Sequence, residues 1–259
     1  NILPAPNEFQ YRNRIQIHTA GNQLGFLKKK THEIIDIDNC LIADKKLVEK
    51  FESLRIKEKS SEKPVRYEIA LNQKGQIKVD LGKKSATESF FSQVNNEQNE
   101  VMKKWLKDHI SSENFERILD LYCGSGNFSF PLAEMFPDTP VTGVELSKNS
   151  VDLANSQKRP ANLNFKCADV AEFLANKPIQ NNLVLLDPPR AGLSPVVVQQ
   201  ILKNPPKQLI YISCDPQTLS RDLQALTEKF EISQIQPLDM FPQTDHIENM
   251  VLLFRSTHS

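Results

Sequence analysis

Two short stretches in the second half of the chain place reactive side chains directly after apolar runs. One is "LLDPPR" at residues 185–190 and the other is "YISCDP" at residues 211–216. Ligands of open α/β sheets sit beyond the carboxyl ends of the strands, so two neighbouring strands would bring Asp187 and Cys214 to one pocket. A cysteine at that place is a candidate nucleophile, although a small buried side chain is the plainer alternative.

The residue after Asp-Pro-Pro narrows the chemistry. An aromatic residue there would suggest methylation of an exocyclic amino group on a stacked base, but this chain has Arg190. A cysteine suits the methylation of a pyrimidine at C5, because a thiolate that adds to C6 makes C5 nucleophilic enough to attack a sulfonium methyl group. A base must then remove the C5 proton so that the thiol can leave.

Such a thiol needs an activating environment and a partner base. Asp215 suits the N-cap of a helix, and a helix N-terminus beside Cys214 lowers the pKa of a thiol. For the base, "TDHIENMVLLF" at residues 244–254 offers His246 and Glu248 before the last strand. Spacing does not choose between the two, and either could be a structural cap.

From Ile118 onward, strand-like and helix-like runs alternate as in a parallel sheet with crossover helices. The predicted strands are "RILDLY", "VTGVEL", "NLNFKCA", "NNLVLLD", "QLIYIS", "ISQIQPL" and "NMVLLFR", with helices at 127–135, 147–157, 169–176, 195–203 and 217–229. The last two strands have no helix between them, so the seventh can lie antiparallel. The pattern predicts the seven-stranded, Rossmann-like fold of S-adenosylmethionine-dependent methyltransferases.

The first third of the chain has a different pattern. Short alternating runs surround one helical segment near residues 43–56, which predicts a small α+β domain over residues 1–90. A helix at residues 95–110 would lead from it into a catalytic domain at 91–259.

A glycine-rich turn marks a candidate cofactor loop. "LDLYCGSGNFSF" follows a predicted strand and opens a helix, where Gly124 and Gly126 would let the backbone approach a ligand. Ser129 replaces the third glycine of a dinucleotide-binding turn, which weakens that alternative. Glu145 ends the next strand, 21 residues after Gly124, where it could accept hydrogen bonds from both ribose hydroxyls of an adenosyl group.

Composition excludes some classes and divides the chain by charge. No apolar stretch approaches the roughly 20 residues of a membrane span, and four cysteines without a C-x-x-C pair favour the reducing cytoplasm. Residues 1–110 hold 20 Lys and Arg against 15 Asp and Glu, a charge of +5, whereas residues 111–259 hold 12 against 17, a charge of −5. The first part therefore suits a polyanion through basic stretches at 27–30, 55–66 and 82–85, unless these are only solvated surface.

Together these motifs resemble the RNA uracil-C5 methyltransferases, the family of the bacterial 23S rRNA and tRNA 5-methyluridine enzymes. The resemblance rests on "YRNRIQIH", "FFSQVN", "LDLYCGSGNFSFPLA", "LLDPPRAGL", "YISCDPQTLSRDL" and "DMFPQTDHIENMVLL". It implies that Cys214 is the nucleophile and Glu248 the base. It further implies that the methyl-donor and uracil pockets are lined by Gln93, Tyr122, Asn127, Glu145, Asp169 and Asp187.

The resemblance also implies cofactors and a partner. The methyl donor would be S-adenosylmethionine, and the substrate would be RNA, with ribosomal RNA favoured over tRNA. Many members hold a 4Fe-4S cluster with four cysteines, and Cys40 stands in the place of the last of these. The other three cysteines would precede residue 1. Many members also begin with a small β-barrel RNA-binding domain, which we do not expect within these residues. We expect a cytoplasmic monomer that does not act at a membrane.

Two other functions are consistent with parts of the pattern. A non-catalytic RNA-binding module could keep the fold, but the cysteine, the acid and the donor loop are all present here. Cytosine C5 methylation uses similar thiolate chemistry, but those enzymes typically take their cysteine from a Pro-Cys motif after the fourth strand, where this chain has "DPPR".

Overall fold

The computed structural model describes residues 1–21, 23–58, 65–72, 74–81, 93–111, 114–175 and 177–257. Within these ranges the chain forms a five-stranded and a seven-stranded sheet. The basic stretch at 82–85 and the middle of the stretch at 55–66 lie outside the described residues, as does the predicted domain boundary at residue 90. In the part of the chain that is described, no helix combines the length and the apolar character needed to cross a membrane.

The first sheet is antiparallel, with strand order β3-β2-β1-β4-β5. Its members are β1 (Arg14–Ala20), β2 (Gln23–Leu27), β3 (Ile34–Asp36), β4 (Val65–Leu71) and β5 (Ile77–Leu81), with helix α1 (Lys45–Glu58) between β3 and β4. Alternate residues of β1, including Ile15 and Ile17, are buried. They join a core with Leu47 and Phe51 of α1, so one face of the sheet is covered by the helix.

The second sheet has the strand order β11-β12-β10-β9-β6-β7-β8. Its strands are β6 (Ile118–Leu121), β7 (Val141–Glu145), β8 (Leu163–Cys167), β9 (Leu183–Leu186), β10 (Gln208–Ser213), β11 (Phe230–Leu238) and β12 (Glu248–Arg255). The helices are α2 (Asn96–His109), α3 (Ser129–Met135), α4 (Lys148–Ser156), α5 (Val170–Ala175), α6 (Pro195–Lys203) and α7 (Pro216–Leu226). Strands β6 to β10 pair in parallel and β12 pairs antiparallel with β10 and β11, which confirms the predicted fold and the reversed seventh strand.

The central strands β9 and β10 are mainly apolar because helices cover both faces of the sheet. Every residue of β9 and β10 is buried. One core cluster contains Val184 and Tyr211 and the other contains Leu185 and Ile210, so alternate residues of each strand face opposite layers. Apart from the Tyr211 hydroxyl, the polar side chains of these strands stand at their ends, which concentrates the polar chemistry at the strand termini.

The loop at residues 239–247, between β11 and β12, is held by the first part of the chain. The Tyr11 hydroxyl donates to the carbonyl of Pro242 at 3.0 Å, and the Asn95 amide donates to the carbonyl of Met240 at 3.2 Å. Lys29 pairs with Asp245 at 3.1 Å. Residues that precede β1, follow β2 and cap α2 therefore contact the loop that leads into Glu248.

Candidate active site

Cys214 lies in a two-residue connection between the end of β10 and the start of α7. Asp215 is the N-cap of α7, and its Oδ1 accepts hydrogen bonds from the backbone N–H groups of Gln217 and Thr218 at 2.9 and 3.0 Å. The predicted cap is thus confirmed. It fixes the chain direction at Cys214, whose side chain is only partly buried.

Sheet register brings Glu248 beside Cys214. Strands β10 and β12 are antiparallel and pair Ser213 with Asn249, so the next positions outward are Cys214 and Glu248. Asp187 follows β9, the parallel neighbour of β10 on its other side. These three residues and Arg190, from the loop after β9, form what we call the reactive cluster.

Electrostatics in the reactive cluster differ from the expectation for the thiol. Burial, followed by the nearby Glu248, raises the pKa of Cys214, while Arg190 opposes the rise through its charge and a hydrogen bond. The predicted lowering by the helix N-terminus is therefore wrong for the free protein. The reason is that burial of the thiol and the nearby Glu248 outweigh the effect of Arg190.

Three carboxyl groups, two in the reactive cluster and Asp120 beside Asp187, have raised pKa values. Desolvation, with a smaller contribution from Asp187, raises the pKa of Glu248 to about 8, and Arg190 partly opposes this. Desolvation and Asp120 raise the pKa of Asp187 to about 7. Burial likewise raises the pKa of Asp120 to about 7, against a hydrogen bond from Ser129. A site with several carboxyl groups and one cation, Arg190, can store and release protons near neutral pH.

The second candidate base, His246, occupies a different environment. Its side chain is partly exposed, and its Nε2 lies 3.3 Å from Nη2 of Arg190. Its ring meets the ring of Phe241 edge-on, with 6.1 Å between the centroids. The structure therefore places His246 beside Arg190, while Glu248 is 7% exposed and raises the pKa of the thiol through its charge.

The candidate cofactor loop has the backbone shape that its glycines predict. Tyr122, Gly124 and Gly126 have φ values of 65°, 55° and 94°, in the left-handed region. Glu145 ends β7 as predicted, and its carboxylate accepts from the N–H of Gly124 at 3.1 Å and of Ser147 at 2.8 Å. The carboxylate thus lies against the loop, partly exposed to a ligand.

The surroundings of this loop suit an adenosyl ligand that carries an ammonium group. Asp120 is fully buried at the end of β6, and its Oδ1 has no hydrogen-bond partner. Such an orphaned oxygen fits a cationic donor group. Leu146 is 68% exposed next to Glu145 and offers an apolar surface to a ring system. Sequence reasoning missed Asp120 and Leu146, although both flank the predicted motif.

Comparison with known proteins assigns the chain to a family. The sequence profile of the family described as tRNA (uracil-5-)-methyltransferase matches residues 71–256, which is well over half of the chain. The chain belongs to this family. A Bdellovibrio bacteriovorus protein named an uncharacterized RNA methyltransferase is 34% identical over 97% of this chain and 67% of its own length.

Two other similar proteins align with about two thirds of this chain and with a smaller share of their own length. A Marinomonas protein named a 23S rRNA (uracil(1939)-C(5))-methyltransferase is 39% identical over 63% of this chain and 38% of its own length. A Thermosynechococcus vestitus protein named an uncharacterized RNA methyltransferase is 43% identical over 66% of this chain, and that match also spans only 38% of its own length.

One solved structure shares the fold over nearly the whole chain. It is a Pyrococcus abyssi tRNA (uracil-54, C5)-methyltransferase in complex with S-adenosyl-L-homocysteine, with a TM-score of 0.78. The likeness covers 98% of this chain and 78% of that one at 23% identity, so it shows the fold of an S-adenosylmethionine-dependent methyltransferase.

The remaining predicted residues make contacts that are structural in the free chain of this uracil-5-methyltransferase family member. Asn127 exchanges two amide hydrogen bonds of 2.9 Å with Asn99. Asp169 is exposed and accepts from two N–H groups at the start of α5. The backbone carbonyl of Gln93 accepts from Asn13 at 2.8 Å. Their roles toward a ligand stay predictions.

Cys40 lies apart from the reactive cluster, in the five-stranded half. It borders a cavity of about 390 Å³ whose walls include Arg12, Phe26 and Asn39. Among the residues that the structure describes, no three potential ligands come close enough together to hold a metal ion. The described residues alone therefore do not form a site for an iron–sulfur cluster.

Proposed function

We propose that this protein methylates C5 of a uridine in RNA, with S-adenosylmethionine as the methyl donor, through a covalent bond between Cys214 and C6 of the base. The observation that carries the proposal is the cross-strand placement of Cys214 beside the buried Glu248 at the carboxyl end of β10. Uracil C5 methylation requires both a nucleophile and a base, and this arrangement supplies the two on one side of the sheet.

The proposed reaction uses the two residues in sequence. The Cys214 thiolate adds to C6, and the electron pair of the C5–C6 double bond moves toward O4, which makes C5 nucleophilic. The methyl group that becomes bonded to C5 would come from the sulfonium sulfur of S-adenosylmethionine, whose sulfur–methyl bond breaks so that S-adenosylhomocysteine leaves. The Glu248 carboxylate then takes the C5 proton, the C5–C6 double bond re-forms, and the Cys214 thiolate leaves.

Arg190 is proposed to balance the charge of these steps. In the free chain the pKa of Cys214 is raised and that of Glu248 is about 8, so both groups are largely protonated at neutral pH. A proton must therefore leave the pair before Glu248 can act as a base. The guanidinium of Arg190 lowers the pKa of both groups and thereby favours this loss.

The donor would bind at the loop after β6. We propose that Glu145 binds the ribose hydroxyls, that the loop around Gly124 lies against the donor, and that Asp120 accepts from its ammonium group. Leu146 and Asp169 flank the position expected for the adenine ring. The other residues proposed to line the donor and uracil pockets are Gln93, Tyr122, Asn127 and Asp187.

We propose ribosomal RNA as the substrate and the cytoplasm as the compartment. The support is the relative named for 23S rRNA and the position of Cys40, while the family description and the fold relative support tRNA as the alternative. The target uridine would have to leave its stack, at a cost of a few kcal/mol. Mapping 5-methyluridine in total RNA from a strain that lacks the gene tests the choice: loss from tRNA alone would refute the ribosomal assignment.

Substitution of the nucleophile tests the reaction itself. Cys214→Ala should bind S-adenosylmethionine normally but show no methyl transfer, because the donor loop lies on β6 and β7. Cys167→Ala is the matched control, since Cys167 is an exposed thiol at the end of β8. Transfer of labelled methyl groups to RNA by Cys214→Ala, above a mock preparation, would contradict the covalent mechanism.

A further inference from the structure

Side chains of α7 donate hydrogen bonds to backbone carbonyls of the loop that carries Arg190. Thr218 Oγ1 donates to the carbonyl of Arg190 at 3.1 Å. Arg221 Nη2 donates to the carbonyls of Ala191 and Leu193 at 2.9 and 3.2 Å. Arg190 itself is exposed and no strand holds it, so its backbone is held by these bonds and by the turn in which the Gly192 N–H donates to the Pro189 carbonyl at 2.8 Å.

Asp222 anchors this arrangement from within the core. Its side chain is 2% exposed and accepts from the N–H of Leu193 at 2.8 Å and from the hydroxyl of Tyr211 at 2.7 Å. It also accepts from Nε of the neighbouring Arg221 at 2.9 Å, which orients that guanidinium toward the loop. A carboxylate with three such donors is well satisfied, so the network has one defined geometry.

The backbone of the loop lies close against this network at Gly192. Gly192 has a φ of 73°, and a Cβ at this position would lie 2.5 Å from Asp222 Oδ2 and 2.7 Å from Arg221 Nη2. Only glycine allows the backbone to approach the pair so closely. The loop and α7 are thus complementary at the level of single atoms.

The same helix starts immediately after Cys214. The first residue of α7 is Pro216 and its N-cap is Asp215. Cys214 therefore directly precedes the N-cap of the helix that carries Arg221 and Asp222. We propose that Arg221 and Asp222 are positioning residues, which hold the Arg190 guanidinium against Cys214 and Glu248 from the far side of the loop. This inference rests on the proposed function, because it assigns these residues a task in preparing the thiol.

The test measures the ionisation of Cys214 without RNA or donor, so its outcome does not depend on whether the chain methylates RNA. The rate of alkylation of Cys214 by iodoacetamide is followed against pH in the full chain by peptide mass spectrometry, with the exposed Cys167 as reference in the same molecule. Glu248, Asp187 and Arg190 are the charged groups that act on this thiol. Arg221→Lys keeps the positive charge but loses the guanidinium group that donates to two carbonyls. In this variant the pH midpoint of Cys214 alkylation should rise by roughly 0.5 to 1 pH unit.

Two further variants separate positioning from stability. Arg255→Lys is the matched control, because Arg255 also donates to two backbone carbonyls, those of Gln180 and Pro205, at the opposite end of the sheet. It should lower the melting temperature but leave the Cys214 profile unchanged. Arg190→Gln should raise the midpoint as Arg221→Lys does, and the double variant should show no additional rise.

An unchanged Cys214 profile in folded Arg221→Lys would overturn the proposal, as would a fully additive double variant. If Arg221→Lys does not fold, Thr218→Val carries the test, because it removes the bond to the Arg190 carbonyl with little change of shape. It should move the midpoint upward by a smaller amount, and no movement in that variant would equally refute the positioning role.

Discussion

The reactive cluster and the lysine triplet at residues 28–30 differ in the environment of their charged groups. In the reactive cluster, burial and close neighbours raise the pKa of Cys214, Asp187 and Glu248 around a single guanidinium. In the triplet, Lys28 pairs with Glu33 and Lys29 pairs with Asp245, each at 3.1 Å, with the side chains of both pairs largely exposed.

The difference indicates a division of work. Exposed pairs contribute little to stability and are screened by salt, so their lysines are available to phosphates. Buried groups with displaced pKa values are instead suited to proton transfer. If this division is right, changes in the cluster should alter chemistry by orders of magnitude, while changes in the triplet should alter RNA affinity modestly.

The largest effect is expected from the base. Glu248→Gln keeps size and hydrogen bonding but cannot take the C5 proton, so methyl transfer should proceed and release should fall by roughly 10²–10⁴-fold. The variant should accumulate a methylated protein–RNA adduct that survives denaturing electrophoresis and is absent when Cys214 is also changed.

The control for the base is His246→Gln, at the other candidate position. It should turn over with at most a modest loss, because His246 lies beside Arg190. If His246→Gln trapped the adduct and Glu248→Gln released product normally, the histidine would be the base.

The pH dependence of product release should follow the ionisation of the Glu248 carboxyl group. The carboxylate form of Glu248 is required, and its pKa is about 8, so adduct breakdown should rise about tenfold per pH unit below that value and level off above it. Quench-flow measurement from pH 6 to 9 would show this. Arg190→Gln should move the profile to higher pH, because Arg190 lowers the pKa of Glu248. A flat profile in the wild type would argue against Glu248.

The same groups should make the fold less stable as pH rises. Asp120, Asp187 and Glu248 have folded pKa values of about 7, 7 and 8, above their ordinary values of 3.8, 3.8 and 4.5. The folded chain therefore holds more protons than the unfolded chain between about pH 4 and pH 8. Their stabilising contribution is fully present below about pH 4 and is lost as pH rises through 7 to 8.

Denaturant unfolding at several pH values measures this effect. Each group changes the free energy of unfolding by at most about 1.4 kcal/mol per pH unit. Glu248→Gln should remove the contribution of one group from this slope. The exposed Glu231→Gln on β11 is the control and should leave the slope unchanged. An identical slope in Glu248→Gln and the wild type would show that Glu248 ionises normally.

The sequence predicts the strands and the strand ends well, for a physical reason. Strand β9 and the interior of β10 are mainly apolar runs, followed by Asp-Pro and by Ser-Cys-Asp-Pro, so both their burial and the position of the polar residues follow from local composition. The closeness of Asp187 and Cys214 could be predicted because neighbouring parallel strands end at the same edge.

What the sequence does not predict depends on contacts between distant residues. The direction of the Cys214 pKa depends on burial and on Glu248, which arrives from a strand 34 residues later. The place of Arg190 depends on side chains of α7, about 30 residues away, and Lys29 meets Asp245 across 216 positions. No local pattern reports such pairings.

The smallest effect is expected from the lysine triplet. If Lys28, Lys29 and Lys30 contact phosphates, changing all three to Gln should reduce the slope of log affinity against log salt by at most about 2 to 3, since each contact contributes about 0.7–0.9. The matched control changes Lys158, Lys177 and Lys203 to Gln, three exposed lysines of the acidic part at residues 111–259. RNA binding measured from low to physiological salt would separate the two sets. Equal slopes in the triplet variant and the wild type would mean that the triplet is solvated surface, and that the basic half binds RNA elsewhere or not at all.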